Sequence, residues 1–201
     1  MKHRVKSSAF VLGMVLLFAF PVQAQDFLAK KVVEIGKEVP DFNLPDAAGK
    51  EYALLDLRGK IVMIHFWSTS CPFVKRYEDR LQQLTRDYTA QDVVVLGIDS
   101  NVSETVEDIQ KAARERGVNY PVLVDRGNKI ADDFGAITTP HVFILDKTGK
   151  LVYEGAVDDQ GWSEDNPVTK NYAKDVLEAL LSGSPVPHST TKTFGCTVKR
   201  A

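Results

Sequence analysis

Thiols are scarce in this 201-residue chain: Cys71 and Cys196 are its two cysteines, so at most one disulfide can close within it. Runs of lysine or arginine are absent and the formal charge is −2, which leaves no electrostatic footprint for nucleic acid or an anionic membrane surface. No apolar stretch reaches the ~20 residues that a membrane-spanning helix needs. Internal repeats and low-complexity tracts are also missing, so the chain reads as an ordinary globular unit.

What is present begins with an export signal. Lys2, Arg4 and Lys6 form a basic start, residues 9–20 are apolar, and Val22-Gln-Ala24 is a small-residue cleavage site, so residues 1–24 are expected to be a secretory signal. The apolar core is too short to cross a bilayer and no cysteine follows it to carry a lipid, so no stable membrane anchor is expected after cleavage. Export, with the periplasm as destination, would place both thiols in an oxidising compartment. The remainder divides into residues 25–183, long enough for one domain with its own core, and a tail, residues 184–201, that carries Cys196.

The segment Ile61-Val-Met-Ile-His-Phe-Trp67 reads as a strand buried on both faces. A polar turn of Ser68, Thr69 and Ser70 follows. From Cys71 onward, apolar residues recur at Val74, Tyr77, Leu81, Leu84 and Tyr88, which is one stripe of an amphipathic helix. Cys71 is therefore expected at a helix N-terminus. Unpaired N–H groups and the helix dipole there favour a thiolate, the nucleophilic form of sulfur, and Lys75 and Arg76 add positive charge one turn later. The alternative is that Cys71 is a small buried hydrophobe.

Past this helix, strand and helix alternate. Residues 92–98 predict a strand, 105–116 a helix stopped by Gly117, 121–125 a short strand and 128–134 a helix closed by Gly135. Residues 141–145 and 151–156 predict two strands around the turn Asp146-Lys-Thr-Gly149. A last helix carries Tyr172, Val176, Leu177, Leu180 and Leu181 and ends at Gly183. Such alternation implies an α/β layer fold, with the terminal hairpin adding an antiparallel edge. Residues 25–58 lack strong periodicity and are expected to pack as loops and short strands.

Two features stay open on local sequence alone. Cys196, beyond Pro185 and Pro187, reads as part of a flexible tail, and its pairing with Cys71 is either a static staple or a resolving thiol reaching a fixed one. Pro140, at the entry to the strand of residues 141–145, is either an ordinary trans edge residue or a cis turn.

The combination of Gly36-Lys-Glu-Val-Pro-Asp-Phe-Asn-Leu44, Leu57-Arg-Gly-Lys60, Phe66-Trp67 leading to Cys71, and Thr139-Pro140 before a strand resembles the thioredoxin superfamily. Within it the chain is similar to the alkyl hydroperoxide reductase/thiol-specific antioxidant, or redoxin, branch. Cys71-Pro-Phe-Val-Lys75, Asn166-Pro-Val-Thr169 and Gly195-Cys-Thr-Val-Lys199 are like those of a peroxiredoxin-like subgroup. The resemblance implies an α/β thioredoxin-like fold, a central mixed β-sheet flanked by helices on both faces. It makes Cys71 the attacking cysteine and Pro140 a cis-proline facing it. Trp67, Ser68, Thr139 and Pro140 would line the groove where a partner or substrate docks, with Arg76 and His65 in support.

Departures from the family pattern bear on the chemistry. Val74 stands where thioredoxins keep a second cysteine, so a mixed disulfide must be resolved otherwise. Ser68 occupies the hydroxyl position of the peroxiredoxin motif, but Ile64 replaces its proline. Ser68, the helix N–H groups and Arg76 or Arg80 are candidate donors to a peroxide. His65, where thioredoxins keep a buried acid, is either a proton relay with a near-neutral pKa or a strand residue. His141 follows Pro140 and raises a metal, but Lys75 stands where copper-handling relatives have a cysteine, so neither metal nor other cofactor is expected. Trp162 and Tyr153 line a groove or simply pack.

The leading expectation is an exported, antioxidant, thiol-dependent oxidoreductase. Cys71 attacks a hydroperoxide and becomes a sulfenic acid, Cys196 condenses with it to a disulfide, and an external thiol reductant restores both. In the alternative, the substrate is a protein or small-molecule disulfide and Cys196 releases the mixed disulfide. A third reading is a non-catalytic binding module with a static Cys71–Cys196 bridge.

Overall fold

A computed structural model describes residues 31–200. The expected signal, residues 1–24, lies outside the described residues. A small antiparallel hairpin, β1 (Asn43–Pro45) and β2 (Glu51–Ala53), comes first, followed by a 3-10 turn at Leu54–Leu57. The main sheet holds β3 (Ile61–Trp67), β4 (Val93–Asp99), β5 (Val122–Val124), β7 (Val142–Leu145) and β8 (Leu151–Gly155), in the order β5-β4-β3-β7-β8. The helices are α1 (Pro72–Tyr88), α2 (Val106–Glu115), α3 (Lys129–Phe134) and α4 (Tyr172–Ser182). Two further short strands, β6 (Thr138–Thr139) and β9 (Cys196–Thr197), pair with each other.

The central place of β3 follows from its composition. It runs parallel to β4, with Trp67 opposite Asp99, and antiparallel to β7, with His65 opposite Val142. Because side chains alternate along a strand, Ile61, Met63 and Trp67 join the core under α1, α2 and α4. Val62, Ile64 and Phe66 join the opposite core with Phe134 of α3, Val39, Phe42 and Leu54. Only a strand apolar on both faces fits between two such layers. The expected stripe of α1, from Val74 to Tyr88, is buried at all five positions. A buried Leu or Val of this kind contributes ~1.5–3 kcal/mol.

The sheet is mixed, since β3, β4 and β5 are parallel and β7 and β8 antiparallel, and its two faces carry helices, as the resemblance implies. Thr105 caps α2 through a capping box with Asp108, which explains the helix start. The tail departs from expectation. It is docked as a strand, because β6 offers an unpaired edge and Val198 enters the core beside Phe134 and Ala136.

Candidate active site

Cys71 closes the loop out of β3 and is the N-cap residue of α1, with φ −73° and ψ 118°, and Pro72 opens the helix. Proline suits that position because its missing N–H is one that the first turn leaves unpaired. The Cys71 thiol donates to the carbonyl oxygen of Thr139 at 3.1 Å, and Cys71 is only 2% exposed. The Thr139–Pro140 bond is cis. Cys71 thus touches the residue that precedes the cis-proline.

The loop of residues 68–70 is held by a carboxylate that sequence reasoning passes over. Glu104 accepts bonds from Ser68 Oγ at 2.7 Å, Thr69 N at 2.6 Å, Ser70 Oγ at 2.8 Å and Ser70 N at 3.2 Å. Ser68 Oγ in turn accepts from the Cys71 N–H at 3.2 Å. The proton of Ser68 is therefore directed at Glu104 and its lone pair at the Cys71 backbone. Arg116 braces the same loop through the carbonyls of Ser68 and Thr69 and lies over the Trp67 ring at 5.2 Å.

Beneath Glu104 sits a second acid. Burial pushes Asp99 up to about 9, and the neighbouring Glu104 carboxylate adds to this. For Glu104 burial acts upward as well, but the bonds from Asp99, Thr69, Ser68 and Ser70 outweigh it and hold it down to about 2. Asp99 Oδ2 is buried with no hydrogen-bond partner among the described residues, a position that favours the protonated, uncharged acid. Asn101 extends the network: its N–H donates to Asp99 at 2.9 Å, its amide donates to the Trp67 carbonyl at 3.2 Å, and its oxygen accepts from Lys199 N at 2.9 Å. Both acids lie at or just after the carboxyl end of β4, where crevices form in open α/β sheets. That position was the one signal in the sequence that could have pointed to them.

The third element is the tail. In the β6–β9 pair, Thr139 faces Cys196 and Thr138 faces Thr197. Gly195 precedes them with no room for a side chain, as a Cβ there would stand 2.2 Å from Thr139 O and 3.3 Å from Pro140 N. Beyond Cys196, Val198 N donates to Ile137 O at 3.1 Å, Lys199 O accepts from Val102 N at 3.1 Å, and Arg200 binds Asp132 and the Ala136 carbonyl. The Cys196 thiol is pushed up to about 11 by burial, then by its hydrogen bond to Cys71 and by the Cys71 charge, with the Phe73 N–H pulling the other way. Cys196 therefore sits beside Cys71 at the start of α1. The expectation of a loose tail is corrected, because the pairing of Cys196 and Thr197 with β6 and the burial of Val198 hold it.

Other expected residues are placed differently. Trp67 is fully buried, since strand alternation turns it under α1, and its indole N–H donates to Glu78 at 3.3 Å; it supports the site from beneath and does not line a groove. Glu78, which also binds the Tyr120 hydroxyl, is another buried acid that the sequence left unmarked. His65 lies edge-on to Tyr120 at 4.9 Å, with no partner on either ring nitrogen among the described residues, and burial pushes it down to about 3. A near-neutral relay is thereby corrected to a buried neutral imidazole. His141 packs on Phe143 at 4.3 Å, within the core away from α1, and burial pushes it down to about 3 as well. No group of three or more metal-ligating side chains occurs among the described residues.

Arg76 donates to the carbonyls of Trp162 and Gly161, at 3.2 and 2.5 Å, and its guanidinium lies over Phe73 at 4.6 Å. Arg80 pairs with Asp158 and Gln160. Trp162, 62% exposed, meets Phe73 at 5.3 Å and Phe194 at 5.7 Å. Pro72, Phe73, Arg76, Trp162 and Glu164 line a cleft of about 140 Å³ next to Cys71. Tyr153 is buried, with its hydroxyl on the Ala156 carbonyl and Thr191, so it packs.

Comparison with known proteins fits this arrangement. The chain is 31% identical over 147 residues to the thiol-disulfide oxidoreductase ResA of Geobacillus thermodenitrificans, covering 73% of this chain and 83% of the relative. Among solved structures, an uncharacterized conserved protein from Geobacillus kaustophilus superposes with a TM-score of 0.78 at 32% identity, over 84% of this chain and 93% of that one. A hypothetical protein from Sinorhizobium meliloti gives 0.77 at 30% identity, over 84% and 96%. The fold is thioredoxin-like. A model of the AhpC/TSA family matches residues 35–154, which run from the N-terminal segment through β8 and include Cys71, Glu104 and Pro140, and the chain belongs to that family.

Proposed function

We propose that this protein is an exported thiol–disulfide oxidoreductase whose redox couple is Cys71 and Cys196. The observation that carries the reading is the facing of Thr139 and Cys196 across the β6–β9 pair, which sets the second thiol beside the first. In the oxidising direction for the enzyme, the Cys71 thiolate attacks one sulfur of a disulfide RS–SR, forming Cys71–S–SR and releasing RS⁻. Cys196 then loses its proton and attacks the Cys71 sulfur, giving the Cys71–Cys196 disulfide and a second thiolate RS⁻. An external thiol reverses the sequence. Cys196 so supplies what Val74 cannot.

The relative named as a thiol-disulfide oxidoreductase supports this reading over a hydroperoxide substrate. So does the local chemistry. The Ser68 proton goes to Glu104, which turns it away from a peroxide at Cys71. The test is equilibration of the mature protein in mixtures of reduced and oxidised glutathione, followed by alkylation and mass measurement. A single two-electron transition, lost in both Cys71→Ser and Cys196→Ser, is expected. Exchange no faster than that of free cysteine would overturn the reading.

A further inference from the structure

The strand edge at Thr138 and Thr139, beside Cys71, is already occupied. An extended polypeptide that brings its disulfide to the cysteine would add as a strand to β6, using the backbone groups of Thr138 and Thr139. Those groups pair with Thr197 and Cys196, and the hold continues through Val198, 3% exposed, and the two backbone bonds of Lys199 to Asn101 and Val102. Gly195 packs on Thr139 and Pro140 too closely for any second chain to lie between. One residue along from Cys71, Pro72, Phe73, Arg76 and Trp162 line a cleft of about 140 Å³. That is well under the ~300–1,000 Å³ of an ordinary ligand pocket.

We propose that β9 acts as a substrate filter, so that Cys71 exchanges with low-molecular-weight disulfides and refuses disulfides carried on extended polypeptide. This rests on the disulfide-exchange reading and narrows its substrate class. A small disulfide makes no claim on the β6 edge, whereas a polypeptide that pairs with it must strip the tail from residue 195 onward. As a tethered competitor the tail acts at an effective concentration of order millimolar, well above that of a dilute polypeptide substrate. Each exchange remains the balanced step given above: one S–S bond breaks, one forms, and one thiolate leaves.

The test uses full-length mature Cys196→Ser, which keeps the tail but stops at the mixed disulfide on Cys71, read by mass. Its rate with oxidised glutathione is compared with its rate with an extended ten-residue peptide whose single cysteine is joined to glutathione. A preference for oxidised glutathione of about tenfold or more is expected. Adding Gly195→Val, whose side chain collides with Thr139 O, should raise the peptide rate about tenfold and leave the glutathione rate nearly unchanged. Val198→Ser in the same background is a second way to loosen the tail should the valine variant not fold. Equal rates for the two probes in Cys196→Ser would overturn the filter while leaving disulfide exchange intact. Reaction with neither probe, beyond that of free cysteine, would overturn the exchange reading and the filter with it.

Discussion

Cys196 faces Thr139 across a two-residue strand pair, and the Thr139 carbonyl accepts the Cys71 thiol at 3.1 Å. One residue therefore registers both sulfurs, through its backbone. Burial and the neighbouring Cys71 sulfur also keep the Cys196 proton in place, up to about 11. A thiol held protonated is a poor first nucleophile, which suits Cys196 to the second step.

The raised Cys196 thiol is measurable by alkylation. The rate at Cys196, followed by peptide mass against pH, should climb about tenfold per pH unit until it levels near pH 11. In Cys71→Ser the hydrogen bond and charge that raise it are gone, so the curve should level at lower pH. An identical curve in that variant would mean that the two sulfurs do not interact.

Glu104 collects four bonds from residues 68–70, and its replacement by glutamine keeps the size but turns an amide toward some of those donors. Buried donors left without an acceptor cost about 1–3 kcal/mol, so Glu104→Gln should lower unfolding stability by that order in a urea titration. The Cys71 loop should lose its geometry as well, and the rate of exchange with oxidised glutathione should fall. Unchanged stability and rate would remove Glu104 from the site.

Much of this frame could be read in advance. Seven consecutive buried residues in β3 and the three-and-four spacing of α1 are strong local signals, and they put Cys71 at a helix start within a residue. Glu104 was not legible, because its burial is caused by donors some 35 residues earlier in the chain, which no local pattern announces. The docking of Cys196 escaped for a related reason. Strands of two residues have no periodicity, and the partner edge at Thr138 and Thr139 is defined only once the cis-proline and β7 are in place.

The acid pair predicts an unusual pH dependence. Asp99 is raised in the folded state from 3.8 to about 9, so the folded protein holds a proton that the unfolded chain releases. Its contribution to stability is therefore complete below about pH 4 and is lost as pH rises toward 9. Glu104 works the other way: lowered from 4.5 to about 2, its contribution is present above pH 4.5 and lost as pH falls through 2. Asp99→Asn keeps the size and the uncharged state without the titration. Urea midpoints at pH 5, 7 and 9 should fall for the wild type and stay flatter for Asp99→Asn, and parallel trends would refute a proton held at Asp99.

His65 offers the clearest separation of packing from chemistry. Both ring nitrogens are buried without partners among the described residues, a state that costs about 1–3 kcal/mol per unsatisfied polar group. Burial also holds the imidazole neutral down to about pH 3, so it has no proton to take up at working pH. Leucine is similar in size and needs no partner. His65→Leu should then raise stability by about 1 kcal/mol or more, seen as a higher urea midpoint, with little change in the exchange rate. Removing a true acid–base catalyst would instead cost ~10²–10⁴-fold in rate, and a loss of that size with a stable fold would return His65 to the mechanism.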